Sequence, residues 1–339
     1  MFKKLPYINE EGQWVIELED PPTELDGEFK TFFDNYYIDD IIFHPDKKPP
    51  LLKRKDRVCR FCNKSMPEVS FEKDAHTIPQ LIGNRNMISD FECDACNDLF
   101  SKYETQLAYF LGVSRSLAFL KGQEGIPKFK TPDKKLIIGE DKENKSIKII
   151  SDGLENNHWE IDEMNKKMKI FSVKHPYSPI DVYKSFLKMA LCYIDVDDIS
   201  NFESAFKVLQ TNTYDIKMKG NPLFRLYIHL YAGPPIPMPI VLKMRRKENA
   251  VNKYCPSYCF VIYCSNYIFQ FFLPFYKLDT EIVKKYGKVH LPTCPPLLGK
   301  KRFDYFDIPK RGIYDLSGTD KVVKEKQVIT MSFDSMKYL

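Results

Sequence analysis

No stretch of eighteen apolar residues occurs anywhere in the chain, so no membrane-spanning helix is expected. The opening MFKKLPYINEEG carries two lysines but no apolar stretch after them. It is not read as a secretory signal, and a cytoplasmic protein is expected. Also missing are a phosphate-binding GxxxxGK loop, a GxGxxG turn and a GxSxG elbow. Their absence removes the motif-based routes to nucleotide, dinucleotide and serine-hydrolase chemistry. There is no internal repeat and no low-complexity tract, which excludes a solenoid and argues against wholesale disorder.

What is present is enough apolar material for a core. Hydrophobic residues make up 43% of 339, which suits one large domain or two to three small ones. The net charge of +5 decides little, but its distribution is uneven. KKPPLLKRKDR (47–57) holds six basic residues against one acidic, and KMRRK (243–247) and KKR (300–302) are smaller clusters. Such patches either attract phosphates or are solvated linkers and loops. Lys243, Arg245, Arg246 and Lys247 are the candidates for nucleic-acid contact.

Residues 1–57 read as a lead-in and basic linker, with strand-like GQWVIELED and a helical or mixed FKTFFDNYYIDDIIF. Residues 58–125 form a second unit. In it, DACNDLFSKYETQLAYFLGVSRSLAFL predicts one long helix with Leu99, Tyr103, Leu107, Phe110, Ser114 and Leu117 along a face. Residues 135–339 read as a mixed α+β region. SPIDVYKSFLKMALCYI predicts a helix capped by Ser178, and SYCFVIYCSNYIFQFFLPFY predicts a hairpin turning at Ser265–Asn266.

Nine cysteines are present, and four fall into two CxxC pairs: Cys59 with Cys62, and Cys93 with Cys96. Each pair can sit on a tight knuckle, and two knuckles complete a tetrahedral zinc shell. Four thiolates leave no open position for water, so the site is expected to be structural. Disulfides are the alternative, disfavoured in a reducing compartment. The other cysteines, Cys192, Cys255, Cys259, Cys264 and Cys294, read as small buried side chains.

Between the pairs lies His76, in AHTIPQLIGN. Alone, it reads first as a packed core histidine or a surface residue of a zinc ribbon. Together with the two CxxC pairs and the Asn97 that follows the second, the segment 58–112 resembles the H-N-H, or ββα-metal, endonucleases, in particular bacterial proteins with an AH-x-IP signature. The resemblance implies a hairpin presenting His76 as general base and a helix presenting Asn97 as ligand to a catalytic Mg2+ or Mn2+. The cysteines would hold a structural Zn2+. It further implies DNA as substrate and suggests anti-phage defence. The family's usual ligand before the histidine is replaced here by Ala75. Glu104, two helical turns after Asn97, is the preferred replacement, with a surface carboxylate as the alternative; Asp74 and Glu72 lie nearby. Asp90, Asn84 and Asn86 are candidates to brace the loop. Gly83 is expected in a left-handed turn, and Arg85 either reaches a phosphate or is an ordinary exposed arginine. The C-terminal region is left to recognise DNA, an activating ligand or a protein partner. The readings that compete with a nuclease are a non-catalytic zinc module that binds nucleic acid and an assembly protein.

Overall fold

The computed structural model describes residues 7–8, 14–15, 26–44, 51–118, 120, 125–131, 134–141, 143, 146–151, 158–211, 219–230, 235–298 and 311–332. The chain is α+β. It begins with two short strands, β1 (Tyr7–Ile8) and β2 (Trp14–Val15), then helix α1 (Asp26–Asn35) and β3 (Tyr36–Ile42). A two-strand hairpin follows, β4 (Ala75–His76) with β5 (Ile88–Ser89), leading into α2 (Asp94–Leu111) and the short α3 (Ser114–Leu117). Strands β6 (Phe129–Lys130), β7 (Leu136–Asp141) and β8 (Ser146–Ser151) form one three-stranded sheet. The strands β9 (Trp159–Asp162) and β10 (Lys167–Val173) precede α4 (Pro179–Leu191) and α5 (Glu203–Gln210). The chain then runs through β11 (Arg225–Leu230), β12 (Ile236–Arg246), β13 (Tyr258–Ser265), β14 (Tyr267–Phe272), α6 (Lys277–Tyr286), β15 (Arg311–Asp315) and β16 (Lys326–Ser332).

The central element is an antiparallel six-stranded sheet in the order β15-β11-β14-β13-β12-β3. Its β13–β14 hairpin turns at Ser265–Asn266, as the sequence predicts, with Cys264 opposite Tyr267. Every residue of both strands is buried. The reason is that both sheet faces are covered. Phe260, Ile262, Phe269 and Phe271 join the cluster that holds α4, while Cys259, Val261, Tyr263 and Phe272 pack with Phe32 of α1 and with Leu297 and Leu298. Antiparallel strands normally alternate apolar and polar residues, and that alternation is lost when neither face meets water.

The segment FKTFFDNYYIDDIIF proves mixed: α1 ends at Asn35 and the chain continues directly as β3, which pairs with β12. Helix α4 is buried all round, including Lys184 and Lys188, and Phe186 sits 5.3 Å from both Phe269 and Phe271. Ser178 takes the position before α4 but its side chain makes no capping hydrogen bond. Its amide donates to Gln106 of α2 instead.

The long helix predicted over 94–120 is two helices. Gly112 adopts φ +57, a conformation open to glycine, and ends α2. Tyr103, Leu107 and Phe110 are buried as expected, but so are Cys96, Phe100 and Leu111, which turns the face toward α4. One apolar cluster runs without a break from Cys59 and Phe61 through α2 and α4 to the sheet. The sequence of residues 300–302, with its basic cluster, lies outside the described residues, as do 45–50. Among the described residues no helix is long and apolar enough to cross a membrane.

Candidate active site and metal centre

The four cysteines converge. Their sulfurs all lie within 4.8 Å of one another, with Cys59 and Cys96 at 3.7 Å and Cys62 and Cys93 at 3.7 Å. A tetrahedral zinc shell with bonds of about 2.3 Å has edges of about 3.8 Å, so the four fit that ion. Asn63 at φ 56 closes the first knuckle, its amide donating to the Cys59 carbonyl. The second knuckle opens α2, where the helix dipole favours thiolates. The thiols alone do not ionise together. The hydrogen bond from Cys96 draws Cys59 down to about 5, while burial pushes Cys93 up to about 12. A divalent cation would remove that conflict. Gln210 of α5 donates to the Cys96 sulfur at 3.4 Å, a contact between distant parts of the chain with no local signature in the sequence.

His76 is half-buried on β4, opposite Ile88. Its ring Nε2 lies 3.1 Å from the Gln80 amide. Two residue pairs make a weak hairpin, so other groups fix it. Among the bracing candidates it is Asn84 that spans the loop. Its amide donates to the carbonyls of Ile78 (2.5 Å) and Met87 (2.9 Å), and its oxygen accepts from the Met87 amide. Asp90 accepts from the Leu52 amide, and Asn86 reaches the His44 carbonyl. Gly83 stands at φ +98, in the left-handed turn expected of it. Asp94 ties α2 to the segment leading into β4 by accepting from the amides of Glu72 and Lys73, each at 2.9 Å. Burial works against the Asp94 charge, but hydrogen bonds from Ser70, Glu72 and Lys73 outweigh it and hold the carboxyl below its ordinary value.

The hairpin is also gripped from outside its own segment. The Lys188 ammonium of α4 donates to the His76 carbonyl, and the Tyr193 hydroxyl lies 2.6 Å from the Thr77 hydroxyl. Arg60, in the first knuckle, donates to the carbonyls of Leu191, Cys192 and Ile194 at the end of α4. Lys188 also faces the buried Glu92, 3.0 Å away. Burial pushes the Glu92 carboxyl up to about 7 against the pull of that ammonium. The visible signal for Lys188 was a lysine inside a helix whose other positions are mostly apolar.

Asn97 is half-buried in the first turn of α2. Glu104 is half-buried too, raised by burial, with the Lys188 charge drawing it down. Among the described residues the cysteines are the group of three or more His, Cys, Asp and Glu side chains gathered closely enough to hold an ion, so Glu104 is not drawn into a second set with His76. Ala75 is buried. Glu72 pairs with Arg54 across the surface, and Asp74 and Arg85 are exposed.

The basic cluster at 243–247 does not form a free phosphate-binding face. Lys243 is buried between Asp39 and Asp195, each at 2.9 Å. Arg245 pairs with Asp198 at 3.0 Å and with Asp195. Arg246 donates to the Cys255 carbonyl and faces Asp279, and Lys247 donates to the Phe33 carbonyl at 2.6 Å. Lys243, Arg245 and Arg246 lie in the strand that pairs with β3, Lys247 follows it, and all four are engaged by groups of the chain itself. Sequence clustering alone cannot distinguish that from a surface patch.

Residues 59–107 match the family described as HNH endonuclease. No curated protein and no solved structure matches the chain.

Proposed function

We propose that this chain, whose residues 59–107 match the HNH endonuclease family, hydrolyses phosphodiester bonds of DNA with His76 as general base. One observation carries the reading: the zinc-fitting staple uses only the cysteines, while the hairpin holding His76 is clamped by Asn84 and Lys188, contacts the staple does not need. A half-buried imidazole held by its backbone can take a proton from a water aligned with the phosphorus. The neighbouring Gln80 amide limits the ring's rotation. Asn97 offers a carbonyl oxygen of the kind that Mg2+ or Mn2+ accepts, and such an ion would offset charge at the leaving oxygen. Glu104 fits that role poorly, since its charge faces Lys188. A role in anti-phage defence belongs to the same reading and rests on the family likeness.

The competing reading is a zinc module that binds nucleic acid without cutting it. It is favoured by Ala75, buried and without a donor where the family places a ligand. Nicking of supercoiled plasmid with magnesium or manganese separates the two. His76→Ala is expected to keep its zinc and its fold and to lose cleavage by roughly a hundred- to ten-thousand-fold. Equal cleavage by parent and variant would remove the mechanism.

A further inference from the structure

Lys188 is a charge in the wrong medium. It stands in the middle of α4 with 1% of its surface exposed. A lysine is tolerated there only if its ammonium finds partners that replace water. It finds the Glu92 carboxylate at 3.0 Å, the His76 carbonyl, and the Phe100 ring at 5.9 Å. The ammonium donates to the His76 carbonyl as well as facing the carboxylate. The ammonium thus meets the Glu92 carboxylate and at the same time aims a charged donor at one backbone oxygen.

That oxygen belongs to the residue whose position matters most. Strands β4 and β5 share two residue pairs, Ala75 with Ser89 and His76 with Ile88. So short a ladder fixes pairing but not the height or tilt of its side chains. The braces supplied by Asn84 and Asp94 act after and before His76 in the chain. Lys188 grips the histidine's own peptide group, and Tyr193 grips the next residue. Both come from beyond residue 107. Arg60 in turn fastens the end of α4 to the first cysteine knuckle.

We infer that Lys188 is a positioning residue for His76: pinned by Glu92, its ammonium holds the His76 carbonyl and so sets where the imidazole meets the scissile phosphate, which makes α4 part of the catalytic scaffold. This rests on the nuclease reading of His76. Lys188 touches no substrate and acts only through the histidine. Misplacing a reacting group by about 1 Å costs on the order of a hundredfold in rate.

The rival account is that Lys188 merely neutralises a buried carboxylate. The double variant Glu92→Gln/Lys188→Met separates the two. It removes both charges at once in nearly matched volumes, so neither single charge is left buried and uncompensated. With zinc content and unfolding midpoint near the parent's, plasmid nicking is expected to show kcat reduced by roughly ten- to a hundredfold with KM within about twofold. The Thr77 amide nitrogen, which shares the His76 peptide group, is expected to shift in the NMR spectrum as its carbonyl loses a charged donor. A second variant covers failure of the first to fold. Lys188→Arg keeps a charge opposite Glu92 but alters the donor's reach, and it is expected to lower kcat likewise. Parental kcat in either folded, zinc-loaded variant overturns the inference and leaves the nuclease reading standing. A parent chain that cuts no nucleic acid overturns both.

Discussion

Asp198 illustrates what a single side chain does in this fold. It accepts hydrogen bonds from Tyr258, Asn201 and Arg245. Burial works against its charge, but these donors and the Arg245 guanidinium hold the carboxyl below its ordinary value. A depressed folded pKa contributes stability that is present above the unfolded value, near 3.9, and is lost as pH falls through the folded one. Asp198→Asn is therefore expected to cost about 1–3 kcal/mol at pH 7. The gap from the parent in urea midpoint should narrow below about pH 4. A gap that is constant with pH would show that the charge is idle. The same network is why Lys243 and Arg245, readable in the sequence as a basic patch, serve the core. Their acidic partners Asp39, Asp195 and Asp198 lie forty-five or more residues away, and no window of sequence displays that pairing. By contrast the cysteines were legible, because ligand spacing is local and each knuckle is built within four residues.

Among the elements, the end of α2 shows how one backbone conformation stops a helix. Apolar periodicity continues past Leu111, which is why the sequence suggests one helix to Leu120. The break is conformational: at Gly112 an added Cβ would lie 2.5 Å from the Gln327 oxygen and 3.2 Å from Lys174. Gln327 is itself engaged, accepting from the Val113 amide and donating to the Leu111 carbonyl. Gly112→Ala is expected to lower stability by about 1–3 kcal/mol, from strained backbone and from the displaced glutamine. Thermal unfolding measures it. An unchanged midpoint would mean that the turn tolerates a side chain. The β13–β14 hairpin was legible for the opposite reason. Its turn and both arms are adjacent in sequence, so composition and pairing coincide.

At the scale of the molecule, the cysteine site and the large sheet share one apolar cluster, linked by α2 and α4. Metal binding in such a site contributes folding free energy. Chelation should therefore lower the unfolding temperature of the chain as one transition, rather than melt residues 58–112 alone. Two well-separated transitions in calorimetry after chelation would show that the parts fold independently. This continuity was not legible. Residues 1–57, 58–125 and 135–339 differ in composition, and composition marks where linkers run but not which faces meet across them.

The grip of α4 on the hairpin has a consequence for inheritance. A catalytic cassette that can be copied from one protein to another must carry its own supports. Here a graft ending at residue 107 would bring the histidine and leave behind the ammonium on its carbonyl and the tyrosine beside it. A host receiving such a graft would have to supply an equivalent helix. The supports of His76 are thus discontinuous in sequence: one set lies within residues 59–107, and the other, Lys188 and Tyr193, lies on and just after α4.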